Sequence, residues 1–250
     1  MMLDLSLEEQ FMAGTTLEHC QDVPLKEGMP VPAPEKYVPP QNGRSFVTLP
    51  EPDFFPDINV NFLETIELRT SVRQYQQDEP IPVKELSYLL WCTQGVKMAL
   101  PNGGSMRNVP SAGARHALET YLFVQRVEGL KPGFYRFLPF DHALLPLTDL
   151  DKEAFLAAFP GRRIVENSAV TFVWSAVRDR MTHRYGPRAY RYLFLDAGHV
   201  CENLYLAAQT VKTGVCAVGS FDDAALNQAL ALDGREEFAI YAATAGKPVR

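Results

Sequence analysis

The sequence predicts an α+β fold, and three features carry that prediction. Some stretches repeat apolar residues at helical spacing, while others run as β-branched or continuous apolar blocks, so helices and strands are both expected. The two kinds of element are mixed along the chain without the strict strand–helix–strand alternation of a parallel sheet. No internal repeat divides the chain into copies of a smaller unit.

Residues 22–56 are rich in proline, which excludes regular helix or central strand there. Val31, Tyr37, Val38, Phe46, Phe54 and Phe55 make the stretch too apolar for simple disorder. Residues 1–56 are therefore expected to form a Pro-rich N-terminal arm lying across another surface, which in a dimer would be the partner's. A floppy leader is the competing reading on composition. Residues 57–250 form the folded domain, starting with a short helix over 58–69 that places Ile58, Phe62 and Ile66 on one face.

A second helix covers 82–97. Pro82 opens it, Leu86, Leu89, Leu90 and Thr93 recur at i, i+3, i+4 and i+7, and Gly95 closes it. Residues 118–127 are β-branched and aromatic and read as a strand. The turn "KPG" sends the chain back as "FYRFL", giving a hairpin. A helix covers 151–159, and 169–177 is an apolar run suited to a strand buried on both faces. Residues 190–214 carry the longest helical pattern, with Gly214 expected as its C-cap. A strand over 215–219, a helix over 222–232 with Asp222 near its N-cap, and a last strand over 237–246 complete the domain.

The 250 residues carry a formal net charge of −6, which argues against a nucleic-acid or anionic-membrane surface as the main partner. Cys20, Cys92, Cys201 and Cys216 are scattered, with no zinc-like spacing, as suits free thiols in a reducing compartment. No apolar run approaches a membrane span, and the acidic start "MMLDLSLEEQ" lacks the features of a signal peptide. The expected location is cytoplasmic.

Against this acidic background three stretches stand out. In "RTSVRQY", Arg69 and Arg73 flank Ser71, so two planar bidentate donors and a hydroxyl could converge on one phosphate. The bland alternative is a pair of solvated arginines meeting Glu67 or Asp78. In "NVPSAGARHALETYLF", Pro110, Ser111, Ala112 and Gly113 offer small side chains and exposed backbone ahead of a strand, letting a flat ring approach closely, or else form a plain turn. In "VGSFDD", Gly219 and Ser220 lie between a strand and a helix N-terminus, where free N–H groups suit an anion or carbonyl oxygen; a simple connection is the alternative.

Together with "LSYLLWCTQGV", "GFYRF" and "YGPRAYRYLFLDAGHVCENLYLAA", these stretches make the chain, from about Leu49 to Gly246, resemble the nitroreductase superfamily of FMN enzymes, and within it the SagB-type dehydrogenases that oxidise azoline rings. The resemblance implies an α+β sandwich, its central antiparallel or mixed sheet flanked by helices, forming a homodimer with FMN at the interface. It implies that Arg69, Ser71 and Arg73 hold the FMN phosphate and ribityl chain, and that Pro110–Gly113 reaches the flavin from the other subunit. Gly219 and Ser220 would place N–H groups near flavin N5 and O4, and Lys247, with Arg250 as a weaker candidate, would complete the phosphate site.

One position departs from the family pattern. Where azoline-oxidising members carry a Lys-Tyr pair, this chain has Arg184-Tyr185. Arginine stays protonated and is a poor general base. Tyr185 remains a proton donor or acceptor, and Arg184 suits anchoring a substrate carboxylate; a surface Arg beside a packing Tyr is the competing reading. His183 is a possible base, His116 follows the glycine block, and His199 is expected in the core. The expected activity is FMN-dependent hydride transfer, either NAD(P)H-driven reduction of nitroaromatics or quinones or dehydrogenation of a small heterocycle. A flavin-binding scaffold without turnover is the alternative.

Overall fold

A computed structural model of the chain describes residues 6–29, 33–35, 37, 45–52, 61–101 and 103–249. Its helices are α1 (Leu7–Gly14), α2 (Leu17–Gln21), α3 (Phe62–Leu68), α4 (Val83–Gln94), α5 (Lys152–Ala157), α6 (Arg162–Glu166), α7 (Arg178–Tyr185), α8 (Ala189–Thr210) and α9 (Asp223–Ala229). Its strands are β1 (Val47–Thr48), β2 (Ile81–Pro82), β3 (Val96–Ala99), β4 (Ser105–Arg107), β5 (Leu118–Val124), β6 (Val127–Glu128), β7 (Gly133–Leu138), β8 (Ala143–Leu147), β9 (Val170–Val177), β10 (Gly214–Val218) and β11 (Glu237–Gly246). Seven strands make one sheet in the order β1-β8-β7-β5-β9-β11-β10, with every neighbouring pair antiparallel.

Side-chain alternation divides the core into two layers. Val170, Phe172, Trp174 and Ala176 of β9 face the layer of α4 and α8, where Leu86, Leu90, Leu193 and Leu204 lie. Val173 faces the opposite layer, with Tyr121, Phe123, Phe134, Phe155 and Leu226. The near-continuous apolar run over 169–177 is a strand covered on both sides, as its composition demands. The expected hairpin is the β5–β7 pair.

Several boundaries differ from the sequence expectation for physical reasons. The long helix ends at Thr210 with Val211 as its C-cap, and Gly214 is the first residue of β10 instead of a cap. A Cβ there would lie 2.7 Å from Val72, so glycine lets the 69–75 segment lie against the sheet edge. Residues 178–185 form a helix that no apolar periodicity marks; Gly186, at φ +53°, and Pro187 break it from α8. The expected arm contains α1 and α2, and α1 is opened by a capping box between Ser6 and Glu9.

Of the helix expected over 58–69, α3 covers Phe62–Leu68, while Ile58 lies outside the described residues. Its apolar residues Phe62 and Ile66 are exposed in the single chain. Strand β8 carries Pro146, a residue that masks a strand pattern. Its partner β1 meets only Leu144 and Ala143, so Pro146 lies beyond the part paired with β1. Among the described residues, no helix is long and apolar enough to cross a membrane.

Candidate functional site

The 69–75 segment runs beside the sheet edge as a short parallel addition to β10. Val72 donates its N–H to the Val215 carbonyl at 2.8 Å, Ser71 bridges Val215, and Tyr75 bridges Pro248. Tyr75 is the buried anchor. Its hydroxyl hydrogen-bonds the Val72 carbonyl at 2.7 Å and Thr244 Oγ1 at 2.8 Å. A Cβ on Gly246 would come within 2.8 Å of the Tyr75 ring, so this glycine makes the seat.

Tyr205, on α8, sets the side chains of this segment. Its hydroxyl accepts the Ala217 N–H at 2.7 Å and exchanges a hydrogen bond with Ser71 Oγ at 3.0 Å. The Arg69 guanidinium lies 5.4 Å from the same ring's centroid, a cation–π arrangement. Arg73 is exposed and donates through Nη1 to the Ser71 carbonyl at 3.2 Å. Among the described residues, no carboxylate lies within ion-pair distance of Arg69 or Arg73, so neither meets Glu67 or Asp78. Two neighbouring cations are thus held in place without a counter-ion among the described residues.

Arg73 also lines a cavity of about 470 Å³ with Arg163, Asn167, Cys216, Gly219 and Ser220. The first and third sequence stretches therefore meet. Gly219 and Ser220 are exposed, and a Cβ on Gly219 would meet nothing closer than 3.8 Å. Arg163 was missed in the sequence because "GRR" has no motif around it. Lys247 is engaged inside the chain: its ammonium contacts Glu85 Oε2 at 2.6 Å and the Val211 carbonyl at 3.3 Å. Arg250 lies outside the described residues.

The second stretch is organised from another part of α8. Asp196 is buried; it accepts from Ser111 Oγ at 2.6 Å and from the Ala112 N–H at 3.2 Å, while Ser111 Oγ accepts the His116 N–H at 2.9 Å. Burial pushes the Asp196 carboxyl above its ordinary range, and the two donors oppose that shift. Pro110 and Gly113 are exposed. Gly113 has φ +56°, and a Cβ there would lie 2.3 Å from the Tyr185 hydroxyl oxygen and 3.4 Å from Arg184 Cδ. This glycine is required twice, by conformation and by space.

Tyr185 ends α7, with its ring edge-on to Tyr192 at 4.9 Å between centroids. Arg184 reaches over the Tyr185 ring and donates through Nη1 to Glu27 Oε1 at 3.4 Å. His116 is buried beside Arg107, and desolvation, reinforced by that cation, drives its ring down to about 3. His183 is buried, whereas His199 is exposed on α8, contrary to its expected place in the core.

Asp196 and Tyr205 stand nine residues apart on one 22-residue helix. That spacing is about 14 Å of rise and about two and a half turns, so the two side chains leave opposite faces of α8. Arg69–Arg73 and Ser111–Gly113 are consequently tied to opposite sides of the same helix within one chain.

Comparisons with known proteins agree with this architecture. A model of the nitroreductase family matches residues 66–247. The Methanocaldococcus jannaschii protein MJ1384, a candidate nitroreductase, is 33% identical over 178 residues, covering 70% of this chain and 87% of that protein. The trifolitoxin-processing protein TfxB of Rhizobium leguminosarum bv. trifolii is 28% identical over 154 residues, 59% of this chain and 41% of that longer protein. Among solved structures, a candidate nitroreductase from Ralstonia eutropha superposes with a TM-score of 0.68 at 27% identity, covering 86% of this chain and 94% of that one. Another, from Desulfovibrio desulfuricans in complex with FMN, shares the fold with a TM-score of 0.55 at 20% identity, covering 76% of this chain and 88% of that one.

Proposed function

Because the chain belongs to the nitroreductase family, we propose that it is an FMN-dependent oxidoreductase whose sites are each built from two copies of the chain. The observation that carries this reading is the arrangement about α8. Arg69, Ser71 and Arg73 form an anion-ready group with no carboxylate partner among the described residues, and Ser111–Gly113 is fixed to the other face of the same helix. A flavin in contact with both groups takes them from different protomers. Exposed Phe62, Leu63, Ile66, Phe194 and Leu195 supply apolar surface for such a pairing.

When bound, FMN supplies hydride transfer through its ring, and the chain supplies position and charge. Arg69, Arg73 and Ser71 would hold the phosphate, the guanidiniums through their N–H donors and the serine through its hydroxyl. Gly219 and Ser220 offer backbone donors where negative charge collects on reduction. Lys247 supports this edge indirectly, since its charge is matched by Glu85 and its carbonyl accepts the Gln76 N–H at 2.9 Å. Tyr185 presents its hydroxyl against Gly113 and is the proton donor to a reduced substrate.

NAD(P)H-driven reduction of a nitro or quinone substrate is the favoured reaction. Dehydrogenation of a heterocycle needs a base, and arginine is a poor one; Arg184 instead engages Glu27. The similarity to TfxB supports SagB-type dehydrogenation as the second reading. The test is the visible spectrum of the purified protein, followed by anaerobic addition of NADH and NADPH. Flavin absorption that bleaches with either donor supports the reductase. A yellow protein that neither donor reduces refutes it in favour of a dehydrogenase or an inert flavin-binding protein, and a colourless protein in excess FMN refutes flavin binding.

A further inference from the structure

We propose that Arg115 and Arg184 form a carboxylate-binding clamp for a small acidic substrate, and that Glu27 of the N-terminal arm fills this clamp until the substrate displaces it. The proposal deepens the function above and rests on placing the Gly113–Tyr185 contact at the flavin site. Three segments distant in sequence meet here: the 3-10 turn Lys26–Gly28, the residues after Gly113, and the end of α7. Glu27 Oε1 lies between the two guanidiniums, 3.4 Å from Arg184 Nη1 and 4.0 Å from Arg115 Nη1.

The two arginines play different parts. The Arg115 side chain is only 9% exposed, and its Nε donates to the Arg180 carbonyl at 3.3 Å, which fixes the fork. A guanidinium so deeply placed, whose ion-pair contact to Glu27 spans 4.0 Å, is poorly compensated and gains from a better-seated carboxylate. Arg184 and Glu27 are each 42% exposed, so an acid from solution reaches the pair. Arg184 Cδ lies 3.4 Å from the position a Gly113 Cβ would take, beside the Tyr185 hydroxyl. An acid gripped by the clamp therefore carries the rest of its body next to Tyr185.

The surroundings favour an anion and a displaceable Glu27 side chain. Residues 178–191 contain five arginines against one acid, Asp179; Arg178 and Arg180 are paired with Glu236 and Glu119, whereas Arg188 and Arg191 meet no carboxylate among the described residues and leave cationic charge near this mouth. The chain around Glu27 is anchored on either side, Arg188 Nη1 donating to the Thr15 carbonyl at 2.8 Å and Arg180 Nε to the Glu35 carbonyl at 2.9 Å, so what a substrate displaces is the exposed Glu27 side chain. Lys26 pairs with Asp179 at 3.1 Å with both side chains substantially exposed, and such a pair contributes at most about 1 kcal/mol. Beside it, Leu25 and Val23 lie over Gly186.

The test is isothermal titration calorimetry with benzoate and neutral benzamide, run on the protein with and without FMN. Benzoate is expected to bind more tightly than benzamide. Glu27→Gln, which removes the internal competitor, tightens benzoate about fivefold or more and leaves benzamide unchanged, and Arg184→Gln abolishes the preference. Both substituted side chains are well exposed, and circular dichroism verifies that the variants keep the fold. Equal binding of the two probes, or a Glu27→Gln protein with unaltered benzoate affinity, overturns the clamp. Calorimetry needs no flavin, so the two proposals fail separately. A protein that refuses FMN yet prefers benzoate sinks the function above, and one that takes FMN without that preference sinks the clamp.

Discussion

Tyr205→Phe isolates the part of α8 that arranges the proposed phosphate grip. The substitution keeps the ring, and with it the stacking of Arg69, and removes only the hydroxyl. Two hydrogen bonds go with it: the one accepted from the Ala217 N–H at 2.7 Å and the one exchanged with Ser71 Oγ at 3.0 Å. Tyr205 is buried and Ala217 partly so, and a donor left unmet there costs about 1–3 kcal/mol. For a chain of this size each kcal/mol corresponds to roughly 2–4 °C in Tm. The flavin-free variant should therefore melt a few degrees below the parent in calorimetry. FMN affinity, read by quenching of flavin fluorescence, should weaken about fivefold to tenfold because Ser71 loses the partner that aims it. A variant with lowered Tm but parental FMN affinity would show that Tyr205 braces the edge strand and nothing more. Unchanged values of both would refute the role of the hydroxyl altogether.

Three further outcomes are expected. Gly113→Ala forces a left-handed alanine whose Cβ overlaps the Tyr185 hydroxyl at 2.3 Å; it should cost about 2–4 kcal/mol in urea unfolding, with the steric part recovered in combination with Tyr185→Ala. His116 stays neutral in the folded chain down to about pH 3, whereas the unfolded chain takes up its proton near 6.5, so stability falls as pH drops through that window, by at most roughly 4–5 kcal/mol. His116→Asn, which tolerates the residue's φ of +44°, should flatten the acid side of the Tm–pH profile, and an unchanged profile would contradict the assignment. Lys247→Met leaves Glu85 largely buried without its partner and should cost about 3 kcal/mol, mostly restored by adding Glu85→Gln; a stable variant that merely lost FMN affinity would put Lys247 in the phosphate site instead.

What the sequence disclosed followed from local chemistry. Helical spacing located α4, which buries one face, and β-branched, aromatic or apolar runs located β5 and β9, which are buried on both faces. The α+β class and the family followed from the order of these elements and the residues between them. Contacts between distant segments were invisible. Nothing in "ENLYLAA" marks Tyr205 as the partner of Ser71, since 134 residues separate the two. Glu27 looked like one more charge in a Pro-rich arm, yet it sits on Arg184. Lys247 looked free for a phosphate because its partner, Glu85, lies 162 residues earlier. Gly214 was read as a cap because a glycine after a helix usually is one; its actual reason is the Val72 side chain, which no local pattern reveals.

The central claim is that one flavin is gripped by Arg69–Arg73 of one protomer and approached by Ser111–Gly113 of the other. Native mass spectrometry of the FMN-saturated protein across a dilution series tests it most directly. The account predicts dimers carrying two FMN and monomers carrying none, with flavin lost in step with dissociation. Monomers that retain FMN, or dimers that stay empty in excess FMN, would contradict it.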